Sequence, residues 1–224
     1  MSFSGQWETI YQRGEQNSVW PWTDLVSYVM RYARPNQMPY RVLELGFGAG
    51  ANISFLRSTG AEYCGVEGSA TAVDAVRRRF VDAASFQVAC CDFTQTIPFD
   101  GPFDLTVDRS SLTHNSSDAI RHCLELVTHR MRSGAKFIGI DWFSTANPDF
   151  LAGEQGADHY TRSNFAVGQF RDVGRVHFFD QEHLMDLLAG AGLRVERLEH
   201  KQNELLIPES TGRMAWWNFV AVKP

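Results

Sequence analysis

Apolar positions along the chain recur at two spacings. Leu25, Val26, Val29, Met30 and Ala33 fall at helical intervals behind Pro21 and Thr23, and Arg34-Pro35-Asn36 closes that helix. Val42, Leu43 and Leu45 then form a short apolar run, broken by Glu44. It passes directly into Gly46-Phe47-Gly48-Ala49-Gly50, after which Ile53, Phe55 and Leu56 resume the helical spacing. The alternation repeats. Residues 61–66 read as a second strand. Ser69 caps a helix whose buried side is Ala72, Val73, Val76 and Phe80, with Arg77-Arg78-Arg79 on the solvated side. Residues 85–90 make a third strand. A turn at 98–102 precedes a fourth strand over 103–108, a helix over 120–131 follows, and Gly134 opens a fifth strand over 135–140. Strands alternating with helices imply right-handed crossovers and a mainly parallel sheet. After a helix over 181–191, residues 193–199 and 215–222 read as two strands. Their connection leaves no room for a crossover helix, so they pair antiparallel. The expected fold is α/β and doubly wound: a mainly parallel seven-stranded sheet with a C-terminal antiparallel hairpin.

Two segments stand outside this rhythm. Residues 1–22 carry Phe3, Trp7, Tyr11, Trp20 and Trp22, which suits either an arm packed on the core or a flap over a ligand. Residues 142–176 are long for a connection. Trp142, Phe143, His159, Tyr160, Arg162, Phe165 and Phe170 argue against disorder, so the segment is expected to be a substrate lid. The whole reads as one domain over 1–224. It comprises an N-terminal arm and helix (1–35), a binding core (36–141), the lid (142–176) and a C-terminal helix and hairpin (177–224).

Composition narrows the partners. A formal net charge of −5 disfavours a nucleic-acid surface, which needs clustered Lys and Arg. No run approaches the length of a membrane span, and the first residues show no basic segment followed by an apolar one. Cys64, Cys90, Cys91 and Cys123 have no C-x-x-C spacing and read as reduced thiols of a cytoplasmic protein. The expected partner is a small-molecule substrate, with no membrane and no nucleic acid, in a monomer or homodimer.

The chemistry gathers at the glycine turn. Glycines let the backbone bend sharply and let a ligand approach without a Cβ in the way. Glu67 follows Gly46 by 21 positions, where an acid reads ribose hydroxyls in nucleotide-binding units. Glu44 would repel a pyrophosphate but attract a cationic ammonium. Glu44-Leu45-Gly46-Phe47-Gly48-Ala49-Gly50 resembles the E/D-x-G-x-G-x-G motif of class I methyltransferases that use S-adenosylmethionine. The resemblance covers roughly residues 40–222 and implies the Rossmann-like methyltransferase fold. It implies that the glycine loop holds the methionine part of S-adenosylmethionine and that Glu67 holds the ribose. Asp92 would accept from the adenine amino group, with Phe93 covering the ring. Glu44, Gly46, Gly48, Gly50, Asn52, Gly68, Asp108 and Arg109 complete the expected cofactor set, joined by Tyr11 and Trp20 if the arm closes.

For catalysis, His114 is the first candidate for a general base toward a hydroxyl, with imidazole's near-neutral pKa, and Asp141 the second. The other histidines lack metal-ligand spacing, and Asp141 is followed by Trp142 rather than by the Asn of metal-dependent catechol-type relatives, so no metal is expected. Asp108-Arg109-Ser110-Ser111 stands where DNA amino-methyltransferases of this family carry N/D-P-P-Y/F, which argues against that substrate. The expected activity is methyl transfer from S-adenosylmethionine to a small molecule, hydroxyl before amine, such as a sugar or an aromatic metabolite. An NAD(P)-dependent oxidoreductase and a non-catalytic S-adenosylmethionine-binding module stay open as alternatives.

Overall fold

A computed structural model describes residues 4–81, 85–207 and 213–224; Phe3 of the aromatic arm lies outside them. The elements run α1 (Gly5–Gln12), α2 (Thr23–Tyr32), β1 (Arg41–Leu45), α3 (Ile53–Ser58), β2 (Glu62–Glu67), α4 (Ala70–Arg79), β3 (Phe86–Cys90) and β4 (Phe103–Arg109). A short 3₁₀ turn, Leu112–His114, leads into α5 (Ser117–Arg130) and β5 (Met131–Phe143). Then come α6 (Asp149–Ala152), β6 (Glu154–Gln155), β7 (Thr161–Ser163), β8 (Val176–His177), α7 (Gln181–Gly190), β9 (Arg194–Glu204) and β10 (Arg213–Val222).

The main sheet has seven strands in the order β3-β2-β1-β4-β5-β10-β9, parallel through β5 and antiparallel in the closing β10–β9 pair, as the pattern predicts. Alternate side chains of each strand face opposite helical layers. Leu43 and Leu45 of β1 pack with Ile120, Leu124 and Val127 of α5 and Leu184 and Leu188 of α7. Val42 packs on the other side with Leu25 and Val29 of α2, Ile53 and Leu56 of α3, and Val73 and Val76 of α4. With both faces covered, β1, β2 and β4 are buried almost throughout. Glu44 therefore enters the protein from the same face as Val42. Ser69 caps α4 by accepting from the Ala72 N–H, as expected, and Asp180 caps α7 through the His183 N–H at 2.8 Å. No helix of the described residues is long and apolar enough to cross a membrane.

Three features depart from the sequence pattern. Part of the aromatic arm is a helix, α1, resting near α4. Strand β5 starts at Met131, directly after α5, and runs through Asp141-Trp142-Phe143 to pair with Trp217 and Trp216 of β10. Its last residues thus belong to the sheet and not to the lid. The lid has its own three-stranded sheet, β6-β7-β8, around a small core of Phe165, Phe170, Val176 and Phe178.

Candidate active site

The turn after β1 is shaped by its glycines. Gly46 and Gly48 have φ of +58° and +55°. A Cβ on Gly46 would collide with the Ser111 side chain, and one on Gly48 would lie 2.5 Å from the Tyr11 hydroxyl. Only glycine lets the chain turn here against these two side chains. The Gly46 N–H donates to Val66 O at 2.8 Å, and the Gly48 N–H donates to Glu67 Oε2 at 2.9 Å. Glu67 Oε1 accepts from the Ser69 N–H at 2.9 Å. Both oxygens are thus fixed by backbone at the carboxyl end of β2. Burial raises the Glu67 pKa, and the backbone donors oppose it.

Glu44 lies beneath the turn. Its carboxylate accepts from the Tyr63 hydroxyl at 2.7 Å and from Asn52 Nδ2 at 2.9 Å, and Asn52 Oδ1 in turn accepts from the Trp22 N–H. Burial pushes the Glu44 pKa up to about 7 against these two hydrogen bonds, with Asp108 and Glu67 adding to the rise.

These groups open onto a cleft of about 330 Å³, within the ordinary range for small-ligand sites. Glu44, Gly46, Gly48, Asn52 and Glu67 line one end, and Asp92 and Phe93 lie beyond them. Arg109, Ser111 and His114, from the loop after β4, line another side. Trp7 and Tyr11 of α1 and Trp22 also line it, so the aromatic arm covers the cleft. Helix α1 is held in place by Glu8, which accepts from Ser69 Oγ at 2.5 Å, from Thr71 Oγ1 at 2.5 Å and from the Thr71 N–H at 3.4 Å. A glycine cradle that no Cβ could share, a fixed acid at the end of β2 and an acid with an apolar ring after β3 fit S-adenosylmethionine.

The structure places four of the expected cofactor residues off this cleft. A Cβ on Gly50 would meet Ile53, Val76 and Arg79, so that glycine serves the packing of the turn on α4. Gly68 lies behind Glu67, with its carbonyl beside the Cys90 thiol. Trp20 is 78% exposed, and Trp22 holds the position expected for it, with the Arg109 guanidinium 3.7 Å over its ring. Asp108 is fully buried. Its Oδ1 accepts from Ser111 Oγ and from the Leu112 N–H, and its Oδ2 accepts from Trp142 Nε1 at 2.7 Å. Asp108 therefore anchors the loop that carries His114.

His114 is on the cleft wall, as predicted. Its Nδ1 is 3.1 Å from Arg175 O, and a carbonyl can only accept, so Nδ1 carries the proton and Nε2 is the basic nitrogen. The ring stands edge-on to Trp7, 4.7 Å between centroids. The expected near-neutral pKa does not hold: burial, aided by the charges of Arg109 and Arg175, lowers it to about 4.

Asp141 lines a second cleft, of about 560 Å³, which shares Arg109, Phe143 and Gln169 with the first. Asp141 has φ of +58°, and so does Ser110 at the end of β4; the Ser110 hydroxyl donates to Asp141 O at 2.8 Å. Two non-glycine residues in this conformation, bonded to each other between the end of β4 and β5, mark backbone strain beside the clefts. Asp141 Oδ2 accepts from Arg109 Nε at 2.9 Å, and Asn218 Oδ1 accepts from the Asp141 N–H at 2.8 Å. Among the described residues, no group of three or more His, Cys, Asp or Glu is arranged to hold a metal ion. Trp7, Trp22 and Phe143 were visible as aromatics near the site, whereas nothing in the pattern singled out Ser111 or Gln169.

A family model described as a methyltransferase domain matches residues 42–134, the stretch from β1 through α5 that carries the glycine turn. No curated protein matches the chain. Among solved structures, an S-adenosylmethionine-dependent methyltransferase from Methanosarcina mazei superposes with a TM-score of 0.69 at 15% identity, covering 91% of this chain and 98% of that one. One from Clostridium acetobutylicum gives 0.61 at 13% identity, covering 98% and 92%. Phosphoethanolamine N-methyltransferase 2 of Haemonchus contortus, bound to phosphomonomethylethanolamine and S-adenosylhomocysteine, gives 0.64 at 14% identity, covering 98% of this chain and 57% of that one.

Proposed function

We propose that this chain is a class I S-adenosylmethionine-dependent methyltransferase and that it methylates a hydroxyl group of a small molecule with His114 as general base; the methyltransferase-domain match over residues 42–134 and the fold support the reading. The cofactor supplies an electrophilic methyl group on a sulfonium. The chain has to align, desolvate and take away one proton. Gly46 and Gly48 let the loop pack against Ser111 and the Tyr11 hydroxyl at the cleft wall, and Glu67 presents a carboxylate already oriented by two main-chain donors. Trp7 and Tyr11 cover the cleft and keep water from it.

The observation that carries the hydroxyl reading is the state of His114. Its Nδ1 proton is committed to Arg175 O, which leaves Nε2 as the unprotonated nitrogen of a ring on the wall of the cleft, while burial keeps that ring neutral and makes it a weaker base than free imidazole. An alcohol must lose its proton as the new carbon–oxygen bond forms. An amine that arrives neutral, the type of chemistry in the Haemonchus enzyme's name, needs no such help.

Methyl-labelled S-adenosylmethionine and a panel of alcohol, phenol and amine acceptors test this. His114→Ala is expected to lower turnover of the hydroxyl acceptor by about 10²-fold, the low end for a general base because burial weakens this one. With the cofactor saturating, wild-type turnover should fall on the acid side near pH 4 and not near 6.5, because burial lowers the histidine's pKa to about 4. A mutant within about threefold of wild type, far less than a base is worth, with the same pH profile, would remove His114 from the chemistry. Turnover of amines alone would overturn the hydroxyl assignment.

A further inference from the structure

We infer that Tyr63 is a positioning residue for the cofactor site: laid along β2 across Gly65, its hydroxyl donates to Glu44 and keeps that side chain a carboxylate when the cofactor's ammonium arrives. This rests on S-adenosylmethionine occupying the first cleft, and is independent of the acceptor and of His114. Tyr63 is fully buried, whereas Glu44 lines the cleft, so the phenol acts on the ligand through Glu44.

The geometry follows from strand register. β1 and β2 run parallel, with Val42 opposite Tyr63 and Glu44 opposite Gly65. Residues two apart on a strand share a face, so Tyr63, Gly65 and Glu44 lie on the same side of the sheet. Gly65 leaves a lane there. A Cβ at that position would lie 2.6 Å from the Tyr63 hydroxyl and 2.8 Å from its ring, so the tyrosine passes because the position carries no side chain. Phe86 of β3 stacks on the ring, 5.6 Å between centroids and 13° between planes, and holds it in the lane. The hydroxyl thereby reaches Glu44 Oε2 at 2.7 Å, while Oε1 accepts from Asn52 Nδ2 at 2.9 Å. The charge of Glu44 thus rests on two neutral donors. Burial, Asp108 of β4 and Glu67 of β2 all work against its ionisation. From α4 the Arg79 guanidinium faces Tyr63, but it is bonded to the Ala49 and Gly50 carbonyls. Helices α2 and α3 turn Leu25, Val29, Ile53 and Leu56 to this face. Without the phenol one of the two donors is gone, and the carboxyl keeps its proton to higher pH. A neutral carboxyl attracts an ammonium far less than a carboxylate does.

The test is the affinity of the full chain for S-adenosylhomocysteine, measured by calorimetric titration between pH 6 and 8.5 for wild type and for Tyr63→Phe, which keeps the ring and loses the hydroxyl. At pH 6 the variant should bind about three- to tenfold more weakly. The gap should narrow to less than about twofold by pH 8.5, where Glu44 is largely ionised in both proteins. A merely structural loss would weaken binding by the same factor at every pH. In a Glu44→Gln background, Tyr63→Phe should change the affinity by less than about twofold, because the group it acts on no longer titrates. 3-Fluorotyrosine at position 63 keeps the hydroxyl and makes it a stronger donor. It should tighten binding at pH 6 by about twofold and leave it unchanged at pH 8.5, and it decides the matter if Tyr63→Phe fails to fold. A Tyr63→Phe curve parallel to wild type, an equal loss in the Glu44→Gln background, or no tightening with fluorotyrosine overturns the role of Tyr63 and leaves the cofactor reading standing. Failure of wild type to bind S-adenosylhomocysteine at any pH overturns the cofactor reading, and the inference with it.

Discussion

Glu44 and Glu67 illustrate how neighbouring carboxylates acquire different work. Glu67 is held by two backbone N–H groups and can only be approached. Glu44 is held by two side chains deep in the sheet, and burial pushes its pKa to about 7. A cationic ammonium arriving beside it favours the ionised form, so ligand binding below pH 7 should expel a proton. Calorimetric titration with S-adenosylhomocysteine near pH 6.5, in buffers of different ionisation enthalpy, checks this. Net release of up to about three-quarters of a proton per ligand is expected for wild type, since a group of pKa about 7 is protonated to that extent at pH 6.5, and close to none for Glu44→Gln. Identical heats in all buffers for wild type would mean that the ammonium is bound elsewhere. At this scale the positions where chemistry and spacing coincide in the sequence, Gly46, Gly48, Glu67 and Asp92, all line the cleft. The sequence misled where a motif position had become architecture. Asp108 looks like a site acid, yet Trp142, 34 positions on, turns it into an anchor.

Among elements, α1 brings Trp7 and Tyr11 of the aromatic arm to the cleft. It was legible only as an aromatic arm because it buries a single residue, Ile10, too little for a helical stripe. The lid's strands, two or three residues each, are likewise too short for an alternating pattern. Strand β5 overran its expected end because its extension depends on β10, and such pairing cannot be seen locally. Long helices and buried strands were legible because each buries enough apolar side chains at a regular interval. The link between α1 and the core is Glu8, whose hydrogen bonds lower its pKa, those from Ser69 and Thr71 foremost. Glu8→Ala should speed hydrogen exchange over residues 5–12 and raise the S-adenosylhomocysteine dissociation rate by roughly three- to tenfold, while exchange in β1, β2 and β4 stays as in wild type. Unchanged dissociation would show that the helix does not gate the cleft.

For the whole molecule, the buried ionisable groups pull against one another. His114, with its pKa lowered to about 4, stays neutral while the unfolded chain takes up a proton below 6.5, so stability is lost as pH falls through that window. His177, buried and likewise lowered, acts in the same sense. Glu44 and Asp108, raised to about 7 and about 6, do the reverse. They stay protonated while the unfolded chain ionises, so they remove stability as pH rises from the ordinary carboxylate range. Between about pH 5 and 6 the two pairs offset. The wild-type melting temperature should be nearly flat there by scanning calorimetry, and Glu44→Gln, with one acid removed, should gain stability as pH rises through the same interval. A steep wild-type slope would contradict the offset. The anchoring of α1 also has a consequence for biosynthesis. Glu8 finds its partners 61 and 63 positions further along the chain, at Ser69 and Thr71. During translation the covering helix leaves the ribosome before the strand and helix it must dock against. It waits, unseated, until β2 and α4 have emerged, and is therefore among the last pieces to settle although it precedes the sheet in the chain.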